Sequence, residues 1–234
     1  MKIALIGHGA TGKIVERFAR DKGHEIAVVI DGSDAGLSAA QLSEKVRGAD
    51  AAIDFSSANA VRRNVEACMR AGVPLVEGTT GWNAERAEIE KLVIDIGGAL
   101  VFSANFSIGV NLFYRITKYA AELIAKFPDY EVFIEEQHHS RKKDAPSGTA
   151  LKLKEILTEH NGNDLSIAST RAGNIPGTHR VGFDGPADQI LLEHTARSRE
   201  GFAAGAVMAA EWAIGKTGSF EFADVIDEIC FGKS

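Results

Sequence analysis

The sequence predicts an α/β fold, in which a doubly wound parallel sheet is followed by a second, smaller α+β domain with a mixed or antiparallel sheet. Short apolar runs alternate with helical patterns over roughly the first hundred residues, as they do in parallel sheets. One long amphipathic helix and several strand-like stretches follow, and the chain ends in helical patterns that we expect to return to the first domain. The predicted domains are residues 1–106 plus 199–234, and residues 107–198.

The first strand ends in a glycine-rich turn. Residues 3–6 are apolar, and three glycines follow in the spacing G-x-G-x-x-G before a helical pattern. A second apolar run, residues 26–30, ends at an aspartate. In the Rossmann-type fold the glycines allow a tight turn, the approach of a pyrophosphate and close helix packing, and the terminal acid accepts from ribose hydroxyls. The predicted cofactor residues here are Gly7, His8, Gly9, Ala10, Thr11, Gly12 and Asp31.

The remaining elements of the first domain repeat the alternation of strand and helix. We expect strands at residues 51–55, 73–76 and 100–103, and helices at residues 58–70 and 83–96, the second of them capped by Asn83. Ligands of such sheets lie beyond the carboxyl ends of the strands. Two loops at those ends supply the other predicted cofactor residues, which are Gly78, Thr79, Thr80, Ser103, Ala104, Asn105 and Phe106.

The second domain is predicted to hold one long helix, several strands and a shorter helix. Its long helix spans residues 112–124, and the expected strands are residues 130–134, 165–170, 179–183 and 189–195. Helical patterns at residues 201–214 and 223–229 close the chain.

A basic segment stands directly before the shorter helix. Residues 138–143 hold two histidines, an arginine and two lysines, and a helix is predicted to begin at Ser147, Gly148 and Thr149. A helix start offers free N–H groups to a carboxylate, the cations add charge, and histidine exchanges protons near neutral pH. With a nicotinamide, these parts suit hydride delivery to a small dicarboxylate followed by protonation. The alternative is a solvated basic loop with a helix cap, and we expect no metal site, since neighbouring histidines without a third suitably spaced ligand rarely bind one ion.

Composition excludes several classes of function. The net charge of −6 argues against general nucleic-acid binding. Two distant cysteines, Cys68 and Cys230, indicate neither a disulfide framework nor a zinc site, and they favour a reducing compartment. The N-terminal apolar run is too short for a signal peptide, and no stretch is long enough to span a membrane. We therefore expect a cytoplasmic protein.

Several motifs together resemble the dihydrodipicolinate reductases, also called 4-hydroxy-tetrahydrodipicolinate reductases, of diaminopimelate and lysine biosynthesis. The resemblance runs nearly end to end, and the segment from the histidine pair to APSGTA is its most specific part. The motifs are the glycine fingerprint, EGTTGW at 77–82, SANFSIGVN at 103–111, EEQHHSRKKDAPSGTA at 135–150, TRAGNIPGTHRVGF at 170–183 and EHTARSREGFAAGAV at 193–207.

The resemblance implies an activity and a set of residue roles. The reaction would be NAD(P)H-dependent reduction of the cyclic dicarboxylate made by dihydrodipicolinate synthase, giving tetrahydrodipicolinate. The resemblance makes His138 the catalytic acid/base and Lys142 the proton donor. It assigns substrate binding to His139, Ser147, Gly148 and Thr149, and it assigns contacts with the nicotinamide half of the cofactor to the Gly-Thr-Thr and Ala-Asn-Phe segments. It also implies a homotetramer formed through the sheets of the second domain. Arg199 matches an arginine of the family without an assigned role.

The chain departs from the family pattern where the cofactor's ribose would bind. Gly32 follows Asp31 where many relatives carry arginine, and the fingerprint loop also lacks the arginine that several relatives have. We therefore expect NADH to be preferred and NADPH accepted. Two other functions stay open, an NAD-dependent dehydrogenase of aspartate or diaminopimelate, and a nucleotide-sensing protein without turnover. Neither explains His138 and Lys142 followed by the Ser-Gly-Thr helix start.

Overall fold

The computed structural model describes residues 1–161 and 165–232. They form two compact units, one of Met1–Ile108 with Arg199–Ser234 and one of Gly109–Ser198. The domain ranges predicted from the sequence also include residues 162–164 and 233–234, which lie outside the described residues.

The strands are β1 (Lys2–Ile6), β2 (Glu25–Ile30), β3 (Ala51–Asp54), β4 (Leu75–Glu77), β5 (Ala99–Phe102), β6 (Glu131–His138), β7 (Ile167–Arg171), β8 (Thr178–Asp184), β9 (Gln189–Thr195) and β10 (Gly218–Glu221). The α-helices are α1 (Ala10–Asp21), α2 (Ala39–Val46), α3 (Val61–Ala71), α4 (Arg86–Ile96), α5 (Ile108–Ile124), α6 (Gly148–Asn161), α7 (Glu200–Ala213) and α8 (Phe222–Phe231).

The first unit is built on a six-stranded parallel sheet in the order β10-β5-β4-β3-β1-β2. Successive side chains of a strand point to opposite faces, so apolar runs bury both faces at once. Ile3 and Leu5 of β1 pack with residues of α1, α7 and α8, whereas Ala4 and Ile6 pack with residues of α2, α3 and α4. The prediction of a doubly wound parallel sheet is confirmed.

In the first unit, two elements were not predicted and one predicted helix cap is wrong. Helix α2 and strand β10 were not predicted, because α2 has only eight residues and β10 opens with glycine and serine. Asn83 is not the N-cap of α4. It begins a 3₁₀ turn at Asn83–Glu85, and α4 starts only at Arg86, so the asparagine side chain stands too early to cap it.

The second unit holds a four-stranded sheet in the order β7-β6-β8-β9. Strand β6 pairs parallel with β7 and antiparallel with β8, and β8 pairs antiparallel with β9, which confirms a mixed sheet. Its core joins Phe113 of α5, Leu153 and Leu157 of α6, and Val181 and Phe183 of β8. Within the described ranges, no helix has both the length and the apolar character that a membrane crossing requires.

Candidate active site

The three fingerprint glycines of the first unit have three different surroundings. Gly7 has φ +84°, and a Cβ there would overlap the carbonyl oxygen of Phe55. A Cβ at Gly12 would overlap the carbonyl oxygen of Gly7. Gly9 has open space on the side where a Cβ would stand. Gly7 and Gly12 are therefore fixed by packing, whereas Gly9 leaves room for a ligand to approach the backbone.

The start of α1 is suited to an anion. The helix begins at Ala10, next to Thr11, and no acidic residue lies in its first turn. Its first N–H groups lack intrahelical partners and carry the positive end of the helix dipole. His8 lies in the loop before the helix, with Nε2 2.6 Å from Glu16 Oε2. A pyrophosphate is the expected ligand of such a helix start.

Asp31 lies directly after β2 and is exposed to solvent. Its Oδ1 accepts hydrogen bonds from Ser33 N at 2.9 Å and from Ser33 Oγ at 2.7 Å. These two bonds, the hydroxyl first, lower the pKa of Asp31, so the carboxylate is ionised at neutral pH. Close by, Asp34 forms an ion pair with Lys45, which neutralises the charge of that lysine.

The predicted loop after β4 is held by several bonds to Thr79. Thr79 N donates to Glu77 Oε1 at 2.7 Å, and Thr79 Oγ1 accepts from Ser56 N at 3.1 Å. The indole Nε1 of Trp82 donates to the carbonyl oxygen of Thr79 at 2.8 Å. Gly78 fits against the ring of Phe55, and Thr80 is exposed. These contacts give the loop a defined conformation.

The loop after β5 splits into an open part and a buried part. Ser103 Oγ accepts from Asn105 N at 3.0 Å, and Ala104 between them is exposed. Phe106 is buried, with its ring centroid 4.8 Å from that of Phe222 and 6.2 Å from that of Phe55. The structure therefore gives the side chain of Phe106 a role in the core of the first unit, and Ser103 to Asn105 are the accessible part of this loop.

In the second unit, a polar cluster surrounds His138 at the end of β6. Nδ1 of His138 lies 2.6 Å from Glu136 Oε2, although the two groups are not aligned as a hydrogen bond. Arg171 Nη2 donates to the other oxygen, Oε1, at 2.6 Å. The ring of His179 packs edge-on against that of His138, with centroids 5.1 Å apart. Strand register explains the grouping, because Arg171 is the β7 partner of His138 and His179 is the β8 partner of Glu136.

The electrostatics of this cluster keep both imidazoles neutral and the carboxylate ionised. Burial alone would raise the pKa of Glu136, but hydrogen bonds from Arg171, Ser169 and Ser147 outweigh it and bring the pKa to about 2. Burial lowers the pKa of His138, partly offset by the Glu136 charge. Burial and the neighbouring His138 lower the pKa of His179 to about 4. His138 can therefore accept a proton, and Glu136 stabilises the cation that would result.

Lys142 and His139 follow in the loop after β6. Lys142 Nζ lies 2.8 Å from the carboxylate of Asp144, and its backbone N–H donates to the carbonyl oxygen of His139 at 3.1 Å. The Lys142 side chain is 24% exposed, so the ammonium group remains accessible to a substrate. His139 is half-buried, and its Nδ1 has no hydrogen-bond partner within the described part of the chain.

The start of α6 is fixed by Ser147 and open at the next residue. Ser147 is buried; its N–H donates to Glu136 Oε1 at 3.3 Å, and its Oγ lies 3.1 Å from His179 Nε2 and caps Ala150 N at 3.3 Å. Gly148 has nothing within 4 Å of the place where a Cβ would stand. The Thr149 hydroxyl group donates a hydrogen bond to the Tyr114 oxygen. Ser147 thereby joins the start of α6 to the histidine cluster. Because Gly148 has no side chain, the backbone N–H groups at this helix start remain accessible to a ligand.

The cluster also brings possible metal ligands together. The donor atoms of Glu136, His138 and His179 lie within 4.8 Å of one another. Two ligands of one zinc ion would stand roughly 3.3 Å apart, given bonds of about 2.0–2.1 Å. The 2.6 Å contact between His138 and Glu136 is shorter than that, and the Arg171 guanidinium already occupies Glu136. The donor set fits a charge-stabilised histidine better than a metal ion.

Sequence reasoning did not identify Glu136, Arg171 or His179 as part of this site. One signal for Glu136 was available, because it stands two residues before His138 in a strand and so faces the same side. Arg171 and His179 come from other strands, and only the register of the sheet brings them to His138.

We predict that Glu136→Gln selectively weakens the second unit. The pKa of Glu136 is lowered in the folded chain, so its ionised form stabilises the fold above the unfolded pKa of about 4.3, and this contribution is lost as pH falls toward 2. The amide leaves Arg171 without its counter-charge, at a cost of about 3 kcal/mol at neutral pH. Hydrogen exchange of the β6 and β8 amides between about pH 3 and 7 measures this unit alone.

The matched control is Glu135→Gln. Glu135 is the preceding residue, and it pairs more loosely with Arg180 at 3.7 Å. We expect this change to cost under about 0.5 kcal/mol. Equal losses in the two variants would contradict a special role for Glu136.

Comparison with known proteins identifies the family to which the chain is similar. The N-terminal family model of dihydrodipicolinate reductase matches residues 1–106, and the C-terminal model matches residues 109–226. A 4-hydroxy-tetrahydrodipicolinate reductase of Christiangramia forsetii is 35% identical over 243 residues, covering 98% of this chain and 99% of that protein. One of Methanosarcina barkeri is 37% identical over 263 residues, covering 97% and 99%.

Solved structures agree on the fold. A dipicolinate-bound dihydrodipicolinate reductase from Paenisporosarcina sp. TG-14 superposes with a TM-score of 0.81 at 22% identity, covering 96% of this chain and 99% of that one. A probable dehydrogenase from Thermotoga maritima gives 0.62 at 11% identity, covering 99% and 94%. The two family models together span both units of the structure, and the full-length relatives exceed 30% identity. The chain belongs to the dihydrodipicolinate reductase family.

Proposed function

We propose that this enzyme is a 4-hydroxy-tetrahydrodipicolinate reductase, which uses NAD(P)H to form tetrahydrodipicolinate in diaminopimelate and lysine biosynthesis. Membership of the family supports the reaction. The observation that carries the proposal for this chain is the polar cluster of the second unit. There a neutral histidine rests against an ionised carboxylate, beside an accessible lysine and an open helix start.

We assign proton transfer to Lys142 and His138. Loss of the 4-hydroxyl group as water leaves a ring C=C bond conjugated with the imine. Hydride addition to the far carbon of that bond gives an enamine, and one proton on the neighbouring carbon then restores the imine. The ammonium group of Lys142, held by Asp144, can supply that proton. His138 is neutral and contacts Glu136, so it can relay a proton and be stabilised while it is cationic.

Substrate binding is assigned to His139, Ser147, Gly148 and Thr149. The N–H groups at the start of α6 suit a carboxylate, and the buried Ser147 fixes their direction. Lys142 adds positive charge close to this helix start. A dicarboxylate is the expected ligand class, since the segment offers both a backbone cradle and side-chain cations.

The first unit would bind the dinucleotide. The open side of Gly9 and the start of α1 fit a pyrophosphate, and the ionised Asp31 fits ribose hydroxyls. The cofactor supplies the hydride, and these residues orient it. We propose that NADH is preferred, because Asp31 would repel a 2′-phosphate and the neighbouring Lys45 is already paired with Asp34.

We predict that Gly32→Arg raises kcat/KM for NADPH about tenfold, since a charge-assisted hydrogen bond contributes about 1.5 kcal/mol or more. Gly32 is exposed and has open space around it, so the side chain can be accommodated. Gly36→Arg is the control, because it adds the same charge four residues further along the loop, also in open space. Steady-state rates with both cofactors at fixed ionic strength measure the effect. A native enzyme several-fold better with NADPH would show that Asp31 does not govern the choice.

We also propose a homotetramer formed through the sheet of the second unit, in a cytoplasmic enzyme. Ile190 and Leu191 of β9, which lie on opposite faces of the sheet, are 44% and 47% exposed, so each face leaves apolar surface for a contact between copies. Light scattering coupled to size exclusion should give four times the chain mass of 25.0 kDa. A monomer at micromolar concentration would contradict the tetramer.

Turnover with defined substrates separates this function from the two alternatives. The proposed reductase oxidises NADH or NADPH only when 4-hydroxy-tetrahydrodipicolinate is formed in the same vessel by dihydrodipicolinate synthase from pyruvate and aspartate semialdehyde. A dehydrogenase of aspartate or diaminopimelate would instead reduce the oxidised cofactor with its amino acid, and run backwards only with ammonia. A nucleotide-sensing protein would bind the cofactor and turn over neither. Either of the last two results would overturn the proposal.

A further inference from the structure

Two buried carboxyl groups lie side by side at the ends of β3 and β4, and the mechanism above uses neither. Asp54 is the last residue of β3, Glu77 is the last residue of β4, and the two are direct partners in the parallel register. Both are 0% exposed. Burying two carboxyl groups in contact is costly unless something compensates their charge.

The donors around the pair, which include the side chains of Ser56 and Thr79, leave Glu77 Oε2 without a partner among the described residues. Asp54 accepts from Ser56 N at 2.8 Å and from Asn64 Nδ2 at 2.7 Å. Glu77 Oε1 accepts from Thr79 N, whereas Oε2 is buried and receives no N–H or other polar donor from the described residues outside the pair. The two carboxyl groups are close enough for each to influence the pKa of the other. A direct hydrogen bond between two carboxyl groups requires a proton on one of them.

The surroundings of the pair favour the protonated state. The guanidinium of Arg63 donates to Asn64 Oδ1 at 3.0 Å, and not to either carboxyl group. The thiol of Cys68 on α3 also faces the pair, and its pKa is raised by burial and by the two carboxyl groups, so it stays neutral. Burial, followed by the Asp54 charge, raises the pKa of Glu77 well above its usual range, and burial raises that of Asp54.

The pair anchors the turns that follow β3 and β4. Asp54 holds the N–H of Ser56 and Glu77 holds the N–H of Thr79, each two residues after its own strand. The turns are tied to each other by the bond from Ser56 N to Thr79 Oγ1. Phe55, between them, packs against Gly7 and Gly78. Displacing either carboxyl group would therefore move the backbone of the glycine fingerprint and of the Gly-Thr-Thr loop together.

We propose that Asp54 and Glu77 share one proton and act as a positioning pair for the dinucleotide site, so that loss of this proton in alkaline solution weakens cofactor binding. The inference rests on the proposed function, which places the cofactor on these loops. Two adjacent carboxylates repel each other, and the turns that they hold would separate.

The test is the dissociation constant of NADH as a function of pH in three variants, each with its melting temperature. Glu77→Gln keeps the shape of the protonated pair, since the amide oxygen can accept from Thr79 N and the amide nitrogen can donate to Asp54. Glu77→Leu removes both bonds. Glu25→Gln changes an exposed glutamate at the start of β2 in the same unit and is the control.

As the pH is raised from neutral into the alkaline range, we expect the dissociation constant of the native enzyme and of Glu25→Gln to rise roughly tenfold, the change that one unit of pKa difference between the free and bound protein gives. We expect Glu77→Gln to bind NADH as tightly as the native enzyme at the lower pH and to show no such rise. We expect Glu77→Leu to bind at least about tenfold more weakly throughout, as the loss of one or two hydrogen bonds predicts. The same alkaline rise in Glu77→Gln as in the native enzyme would overturn the proposal, even if its melting temperature fell.

Infrared spectroscopy tests the pair without any ligand. The native protein at neutral pH should absorb as a protonated carboxylic acid, and Glu77→Gln should lack that band. Absence of the band from the native protein would refute the shared proton. If Glu77→Leu does not fold, the comparison of Glu77→Gln with the native enzyme still decides. If the native enzyme binds neither NADH nor NADPH, the proposed function fails, while the infrared result still reports on the pair.

Discussion

Lys142→Ala and His138→Gln should each lower kcat by about 100-fold or more, the usual scale for the loss of a positioned acid or base. Lys142 offers an ammonium group held by Asp144, and the neutral His138 rests against Glu136, so each removal takes away a different part of the proton path. Steady-state kinetics with the cyclic dicarboxylate measure kcat, and direct titration with NADH should give a nearly unchanged dissociation constant.

Lys143→Ala is the matched control for these variants. Lys143 is the exposed neighbour of Lys142, so the change removes one positive charge from the same loop. We expect its kcat to stay within about threefold of the native value, because the loss of a nonspecific surface charge changes the rate of substrate association more than the rate of the chemical step. Near-native turnover in Lys142→Ala or His138→Gln would refute the role assigned to that residue.

Gly9→Ala should weaken cofactor binding and leave stability unchanged, whereas Gly12→Ala should lower the stability of the fold. A Cβ at Gly9 lies more than 4 Å from the other described residues outside its chain neighbours, so the melting temperature should hold, but the methyl group would occupy the space assigned to the pyrophosphate. We expect the dissociation constant of NADH to rise about 10- to 100-fold, which corresponds to losing one charge-assisted hydrogen bond of about 1.5–3 kcal/mol. A Cβ at Gly12 overlaps the backbone of Gly7, so that variant should lose roughly 1–3 kcal/mol of stability.

Calorimetry and NADH titration of the two variants, with Gly36→Ala as control, measure both quantities. Gly36 also has open space at the Cβ position, but it lies outside the fingerprint. A Gly9→Ala enzyme with native affinity for NADH would show that the cofactor's phosphates do not approach this turn.

The first unit was predictable because its signals are local. The glycines, the strand before them and Asp31 stand within a few tens of residues, and each has its own physical reason. Strand β10 has no such signal: Gly218 and Ser219 give it low strand propensity, and it pairs only because β5 presents an edge. In the same way, the parallel pairing of β6 with β7 follows from tertiary packing that periodicity does not encode.

The candidate site was predictable only where its residues are neighbours in the chain. His138, Lys142 and Ser147 lie within ten residues of one another, and their chemistry is visible as a cluster. Arg171 and His179 reach His138 through strand register, which a single sequence does not specify. The buried carboxyl pair was missed for a related reason, because an acid at the end of an apolar run looks like an exposed strand end until burial is known.

A crystal complex with pyridine-2,6-dicarboxylate tests most directly the central claim, that the second unit holds the dicarboxylate beside its acid–base residues. We expect one carboxylate on the N–H groups of Gly148 and Thr149, with Lys142 and His139 in contact with the ligand. A ligand bound elsewhere in a complex that also holds the cofactor would refute this placement, whatever the activity of the enzyme.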